Sequence, residues 1–273
     1  MNMHLIEEIF LDCDKKPDIM AFGETRLHEN DDSPKQKGYH ELERDDSPTD
    51  RGGVGFYVSE QINYKVRRDL SLGMDRVEDL WIELEIDKNS DSTSKSDTIK
   101  YVIGNIYRHP GSQYKFFCEN LCKSLEILNQ SKTKYILLGD YNIDMLKYSL
   151  ASDVTNYTNS LNSVGCNVLI DKPTRIEKRT ATCIDHVYSN LPTDRLCNRI
   201  VMSDASDHFS ILTKVSDAAK PNEKNQIYYR RSKLSSQEWQ QFNDENQRFD
   251  KNQYIRQKTV YRDSVKRMLG GRH

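Results

Sequence analysis

Tyr135-Ile136-Leu137-Leu138-Gly139-Asp140-Tyr141-Asn142 decides how this chain is read. The apolar run Tyr135–Leu138 predicts a short buried strand, and it stops at Gly-Asp, a turn signal. In an extended strand tip, residues two apart project to the same side, so Asp140 and Asn142 are expected to point together. The carboxylate could hold and activate a water, while the amide could hold a phosphate oxygen. Gly139 would let the backbone approach its neighbour closely. On this motif alone, an ordinary Gly-Asp turn reads equally well.

Other strand ends carry similar chemistry. Ile19–Phe22 runs into Gly23-Glu24-Thr25, and Ser206-Asp207-His208 precedes the apolar run Phe209–Leu212. Glu24 could ligate a hard divalent cation, although a lone Glu at a strand end is ordinarily just solvated. A His beside a carboxylate suits a site where phosphate charge develops, and Asp185 in Cys183-Ile184-Asp185-His186 could orient the His208 imidazole. His186 would face the other way and reads as structural. Tyr107-Arg108-His109-Pro110 ends a strand with an aromatic and two potential cations, and Arg108 either meets phosphates or is solvated. Between Thr174 and Thr182, Arg175-Ile176-Glu177-Lys178-Arg179 is a mostly basic stretch of hairpin length that suits a phosphate backbone. As an isolated charge run, solvation explains it more simply. Arg51-Gly52-Gly53-Val54-Gly55 lacks the Lys and helix of a phosphate loop, so its glycines are read as permitting a turn and tight packing.

Around these motifs the elements alternate. Strands are expected over 19–22, 53–58, 78–86 (with Leu80, Ile82, Leu84 and Ile86 alternating), 101–107, 135–138, 167–170, 183–189 and 209–215. Helices are expected near 5–11, over 114–130 and after 152, the last capped by Ser152 or Asp153 and stopped by Gly165. Residues 28–50 and 87–98 read as surface loops. Hydrophobic residues make up 36% of 273, enough for a core, and no run approaches the ~18 apolar residues of a membrane span. Six scattered cysteines fit reduced thiols in an intracellular protein. Net charge is −2, with acids in excess up to Asp217 and Lys/Arg in excess from Ala218 onward. This predicts a domain over 1–217 and a basic, partly helical, linker-like tail over 218–273.

Taken in order, Gly23-Glu24-Thr25, Tyr107-Arg108-His109-Pro110, Gly139-Asp140-Tyr141-Asn142, Thr174-Arg175, Ile184-Asp185-His186 and Ser206-Asp207-His208 resemble the endonuclease/exonuclease/phosphatase superfamily. The wording is most similar to the apurinic/apyrimidinic-like endonuclease domain of non-LTR (LINE-type, Jockey- or CR1-like) retrotransposons. The resemblance implies an α/β fold, a four-layer α/β/β/α sandwich, and a Mg²⁺- or Mn²⁺-dependent enzyme that nicks DNA by phosphodiester hydrolysis. It implies that Glu24 and Asp207 serve the metal and Asp140 the water. Asn142 and Tyr107 would lie at the scissile phosphate, and His208, oriented by Asp185, would stabilise the developing charge. It further implies that Arg108, Thr174, Arg175, Lys178, Arg179 and Ser206 contact DNA. In such elements a downstream reverse transcriptase extends the nick, in the nucleus; that domain is not in this sequence. Relatives begin with one more strand, carrying an Asn near the metal, whereas this chain starts at the following helix. The expectation is therefore a sandwich lacking its first strand, and the alternative to a working enzyme is an inactive or domesticated fragment that only binds nucleic acid or protein.

Overall fold

The computed structural model describes residues 16–49, 51–87, 98–177, 180–202, 206–216 and 226–229. The helix expected over 5–11, the loop over 88–97 and most of the tail lie outside them.

The centre is a six-stranded sheet. Its longest strands are β5 (Val77–Asp87) and β6 (Thr98–Arg108), an antiparallel pair. Next to β6 runs β7 (Lys134–Asp140), in parallel. A parallel neighbour needs a crossover, which α1 (Tyr114–Gln130) supplies over the expected residues. The antiparallel β11 (Asp185–Ser189) and β8 (Asn167–Val168) complete one side, and β4 (Asn63–Val66) the other. A second helix, α2 (Ser152–Ser163), follows β7. Its N-cap is Ala151, with no side-chain capping bond, which corrects the expected Ser152 or Asp153 cap.

Period-two alternation sorts the sheet's side chains between two cores. Trp81, Val102, Ile106 and Leu137 face the helices, against Phe117, Leu121 and Leu125 of α1 and Val154, Tyr157 and Leu161 of α2. Leu80, Ile82, Leu84, Ile103 and Tyr107 face a smaller sheet, where they meet Val54, Phe56 and Val58. Each such side chain, fully buried, contributes about 1.5–3 kcal/mol. The smaller sheet is β1 (Ile19–Gly23), β3 (Val54–Val58) and β2 (Glu43–Asp45), in the order β1-β3-β2. Its outer face is covered by Tyr39 and Leu42 from the long loop, packed on Met20 and Tyr57. Helices, sheet and sheet are stacked as the expected sandwich has them, and the described cover of the second sheet is loop rather than helix.

Two further pieces follow. Short strands β9 (Arg175–Glu177) and β10 (Thr180–Thr182) form a hairpin. Strand β12 (Leu196–Met202) pairs with β13 (Ser210–Val215) and, in parallel, with β14 (Gln226–Tyr229), so part of the stretch read as linker is paired backbone. Among the described residues, β1 and β13 are each the edge of a separate three-stranded sheet. No disulfide joins the described cysteines. No described helix is long and apolar enough to cross a membrane.

Candidate active site

The site is assembled at strand ends. Register puts Asp185, the first residue of β11, directly opposite Asp140, the last of β7, with His186 opposite Gly139. Gly139 has φ +129, and a Cβ there would fall on the backbone of Ile106 in β6. The close approach expected of this glycine is therefore a packing requirement. Beside β11, Arg175 and His208 form an isolated antiparallel bridge, and the Phe209 N–H donates to the Thr174 carbonyl. These contacts bring a residue from before β13 against the β7–β11 pair.

One ligand atom from each of Asp140, Asp185 and His208 lies within 4.8 Å of the others. The Nδ1 of His208 is 2.9 and 3.0 Å from the two Asp185 oxygens. Burial pulls this imidazole's pKa down, but the bond to Asp185 and the surrounding carboxylates outweigh it and hold it raised. Asp140 is 8% exposed. Burial first, and then the charge of Asp185, push its carboxyl up to about 7. Like charges opposite one another in a sheet repel, so this pair is a cost the fold carries at one point. His186 is buried, stacked on Tyr141 and bonded to the Ile143 carbonyl at 2.8 Å. Desolvation lowers it to about 4, so it is a neutral structural residue, as expected.

Glu24 follows β1 in a left-handed conformation, φ 48, and Arg26 adopts another, φ 53. Such backbone costs on the order of 1–3 kcal/mol per residue and persists only where neighbours enforce it. The neighbours here are Gly53 and Gly52, whose carbonyls accept the N–H groups of Thr25 and Arg26. Both glycines have positive φ. A Cβ on Gly53 would fall on Thr25 Oγ1, and one on Gly52 would sit 2.7 Å from Glu78 Oε2. The Arg51-Gly52-Gly53 segment is thus a turn that buttresses the Glu24 loop. The Tyr107 hydroxyl donates to Glu24 Oε1 at 2.8 Å, and Arg26 donates to Oε2 at 2.7 Å. Burial raises the Glu24 carboxyl, but these two donors outweigh it and leave it lowered. Burial and the Glu24 bond keep Tyr107 protonated, its pKa far above the usual phenol value.

Several expectations are corrected. Asp140 and Asn142 do not extend together. Asn142 is left-handed, φ 49, its N–H donates to Asp140 Oδ1 at 2.9 Å, and its side-chain amide donates to the Arg108 carbonyl. Arg108 is no surface cation: it is 1% exposed, under the site. Its guanidinium donates to the carbonyls of Tyr141, Asn142 and Ser112. Thr174 is fully buried, and its hydroxyl oxygen accepts the N–H groups of Ile184 and Asp185. Neither residue can touch DNA, because their polar atoms are spent inside. Asp207 does not join the Asp140–Asp185–His208 cluster. Arg175 holds it at 2.7 Å, so the expected metal ligand and the expected DNA contact are paired with each other. Ser206 is exposed, its hydroxyl bonded to Asp207 and to the His208 N–H. Lys178 and Arg179 lie outside the described residues.

Glu78 is not among the residues expected at the site. It shares the inner-face phase of Leu80, Ile82 and Leu84, so an acid in a buried register was the available signal. Nor is Arg26, whose only signal is a base two residues after Glu24.

Residues 2–208 match the model of the endonuclease/exonuclease/phosphatase family. No curated protein matches the chain significantly. Among solved structures it is similar to the endonuclease domain of TRAS1, a telomere-specific non-LTR retrotransposon (12% identity, 73% of this chain and 79% of that one, TM-score 0.46). It is also similar to the human Nocturnin catalytic domain (13% identity, 71% and 75%, TM-score 0.43). A third is truncated Caenorhabditis elegans TDP2 (15% identity, 78% and 88%, TM-score 0.46). With a family match running from residue 2 to the His208 of the cluster, the chain belongs to the endonuclease/exonuclease/phosphatase family, a family of metal-dependent nucleases and phosphodiesterases.

Proposed function

We propose that this chain is a divalent-cation-dependent DNA endonuclease of the non-LTR retrotransposon type, which nicks a strand by hydrolysing one phosphodiester. The observation that supports it most is the convergence of Asp140, Asp185 and His208 at one strand end. Glu24 and Tyr107 lie within electrostatic reach.

A hard cation such as Mg²⁺ or Mn²⁺ fits the donor set. Glu24, Asp140 and Asp185 offer carboxylate oxygens, and their mutual repulsion, which helps raise Asp140, is what a positive charge relieves. Glu24, steadied by Tyr107, would hold the ion beside these carboxylates, and Asp207 would join it only on leaving Arg175; the ion when bound supplies Lewis-acid stabilisation of the phosphoryl oxygens.

The chain's own groups account for the rest. Asp140 orients the attacking water and takes its proton at a carboxylate oxygen. Asp185 holds Nδ1 of His208, which leaves Nε2 to donate to the phosphate as negative charge develops. Asn142 gives one side-chain N–H to the Arg108 carbonyl, and an amide carries a second for a phosphate oxygen. The β9–β10 hairpin lies against the duplex with Arg175 and Ser206 at its base, and Lys178 and Arg179 serve as further DNA contacts. Such an enzyme acts in the nucleus and hands the exposed 3′-hydroxyl to a reverse transcriptase.

The test is conversion of supercoiled plasmid to open circle with Mg²⁺, with EDTA and Asp140→Ala as controls. Nicking that needs both the metal and Asp140 supports the reading. A folded protein that leaves the plasmid supercoiled refutes it and favours a binding-only fragment.

A further inference from the structure

Both carboxylates assigned above to the cation, Glu24 and Asp207, already carry a guanidinium at 2.7 Å, from Arg26 and Arg175 respectively. Arg26 is the unexplained one of the two. Its side chain is 64% exposed, and besides Glu24 it lies within electrostatic reach of Tyr107 and Asp207, which sets it at the rim of the site. Its backbone is left-handed, and its N–H is tied to the Gly52 carbonyl. The loop therefore holds a base at this point in a conformation that an unconstrained chain would leave.

We propose that Arg26 is a ligand for a substrate phosphate, stored on Glu24 until that carboxylate takes a cation. This rests on the endonuclease reading above and adds a residue to it. In the cation-free protein the guanidinium neutralises Glu24 and keeps the mouth of the site from presenting bare negative charge to a polyanion. Once Glu24 ligates a cation, the same guanidinium is repelled from it and turns to the incoming backbone. There, paired donors in a planar fork match two phosphate oxygens. Arg26 thus opposes cation binding and favours DNA binding, and these opposite signs separate it from an ordinary surface ion pair.

The experiment compares the full chain with Arg26→Gln and Arg26→Lys, without measuring turnover. Mn²⁺ affinity is read from the electron paramagnetic resonance signal of free Mn²⁺ in the absence of DNA. Duplex affinity is read by fluorescence anisotropy on an uncleavable phosphorothioate duplex in Ca²⁺, across a salt series. Arg26→Gln is expected to bind Mn²⁺ about two- to fivefold more tightly, the scale of one exposed ion pair. It is expected to bind the duplex more weakly, with the slope of log affinity against log salt reduced by about 0.9, the loss of one phosphate contact. Arg26→Lys is expected to keep the slope. An unchanged slope in Arg26→Gln overturns the proposal while leaving the endonuclease reading standing. Failure of the unaltered protein to bind either Mn²⁺ or duplex overturns both.

Discussion

The Nε2 of His109 lies 2.9 Å from both carboxylate oxygens of Glu78, and its ring stands edge-on to Tyr107 with centroids 4.8 Å apart. Glu78 is 5% exposed, so this imidazole is the partner that keeps a buried acid satisfied. The pair also forms the floor on which Gly52 rests. His109→Ala is expected to lower stability by about 1–3 kcal/mol, the cost of stranding a buried polar group. Gly52→Ala should cost at least as much, since it adds a strained φ to a clash. Urea denaturation of the two variants is the check, and an unchanged midpoint for His109→Ala would show the pair to be solvated.

Arg108 lies under the site and bonds to the successive carbonyls of Tyr141 and Asn142. Lys cannot reproduce that fork. Arg108→Lys should therefore destabilise the protein by about 3 kcal/mol and abolish nicking. Duplex affinity should keep its salt dependence in the fraction that remains folded. A reduced salt slope would return Arg108 to the surface role that its sequence context suggested.

Thr174 acts through its oxygen alone. Thr174→Val leaves the N–H groups of Ile184 and Asp185 without their acceptor, at about 1–3 kcal/mol for each buried group left unmade. It also loosens the residue that orients His208. Thr174→Ser keeps the oxygen and should recover most of the loss. Thermal melting of the two variants side by side decides this, and equal melting points would remove the hydroxyl from the account.

In the cation-free protein, Asp140 titrates at about 7 in the folded chain against 3.8 for an unperturbed carboxyl. Between those values the native chain binds the extra proton, so stability falls as pH rises across that window. Asp140→Asn removes the effect. Its stability advantage over the unaltered protein should grow from about pH 4 to about pH 7, level off above, and reach on the order of a few kcal/mol. His208, raised by Asp185, works in the same direction, because its contribution is complete below 6.5 and lost as pH rises through its folded value. His186, lowered to about 4, works in the opposite direction between 4 and 6.5, and being common to both proteins it cancels from the difference. Adding Mg²⁺ at pH 8 should stabilise the unaltered protein more than the variant. A pH-independent difference would contradict this account.

The parts of the fold legible in the sequence are those with a long period. The helix Tyr114–Gln130 and the alternation of Leu80, Ile82 and Leu84 each repeat several times, and each formed where expected. Two strands were not legible: Glu43–Asp45 has no apolar residue, and the apolar run of Leu196–Met202 is interrupted by Asn198 and Arg199. For the site, the strand-end motifs single out Asp140 and His208, with Asp185 as the acid that could orient the imidazole, and the structure brings these three together. The direction of each side chain was not legible. Arg108 and Thr174 are polar residues in motifs, and only the backbone groups of Tyr141, Asn142, Ile184 and Asp185, distant in sequence, turn them inward. The direction of Asn142 was not legible for a local reason: the Asp140 carboxylate captures its N–H and the backbone turns left-handed just past the strand.

The pairing of Asp185 with Asp140 on one rung also sets where this chain can change length. The stretch between the two strands, from Tyr141 to Ile184, carries helix, hairpin and loops, and residues gained or lost in its loops leave the rung as it is. A single residue inserted within Ile136–Leu138 would instead turn Asp140 to the opposite face of the sheet while Asp185 stayed in place. Two acids far apart in sequence are thus held in step by a run of three apolar residues, and an insertion there would part them.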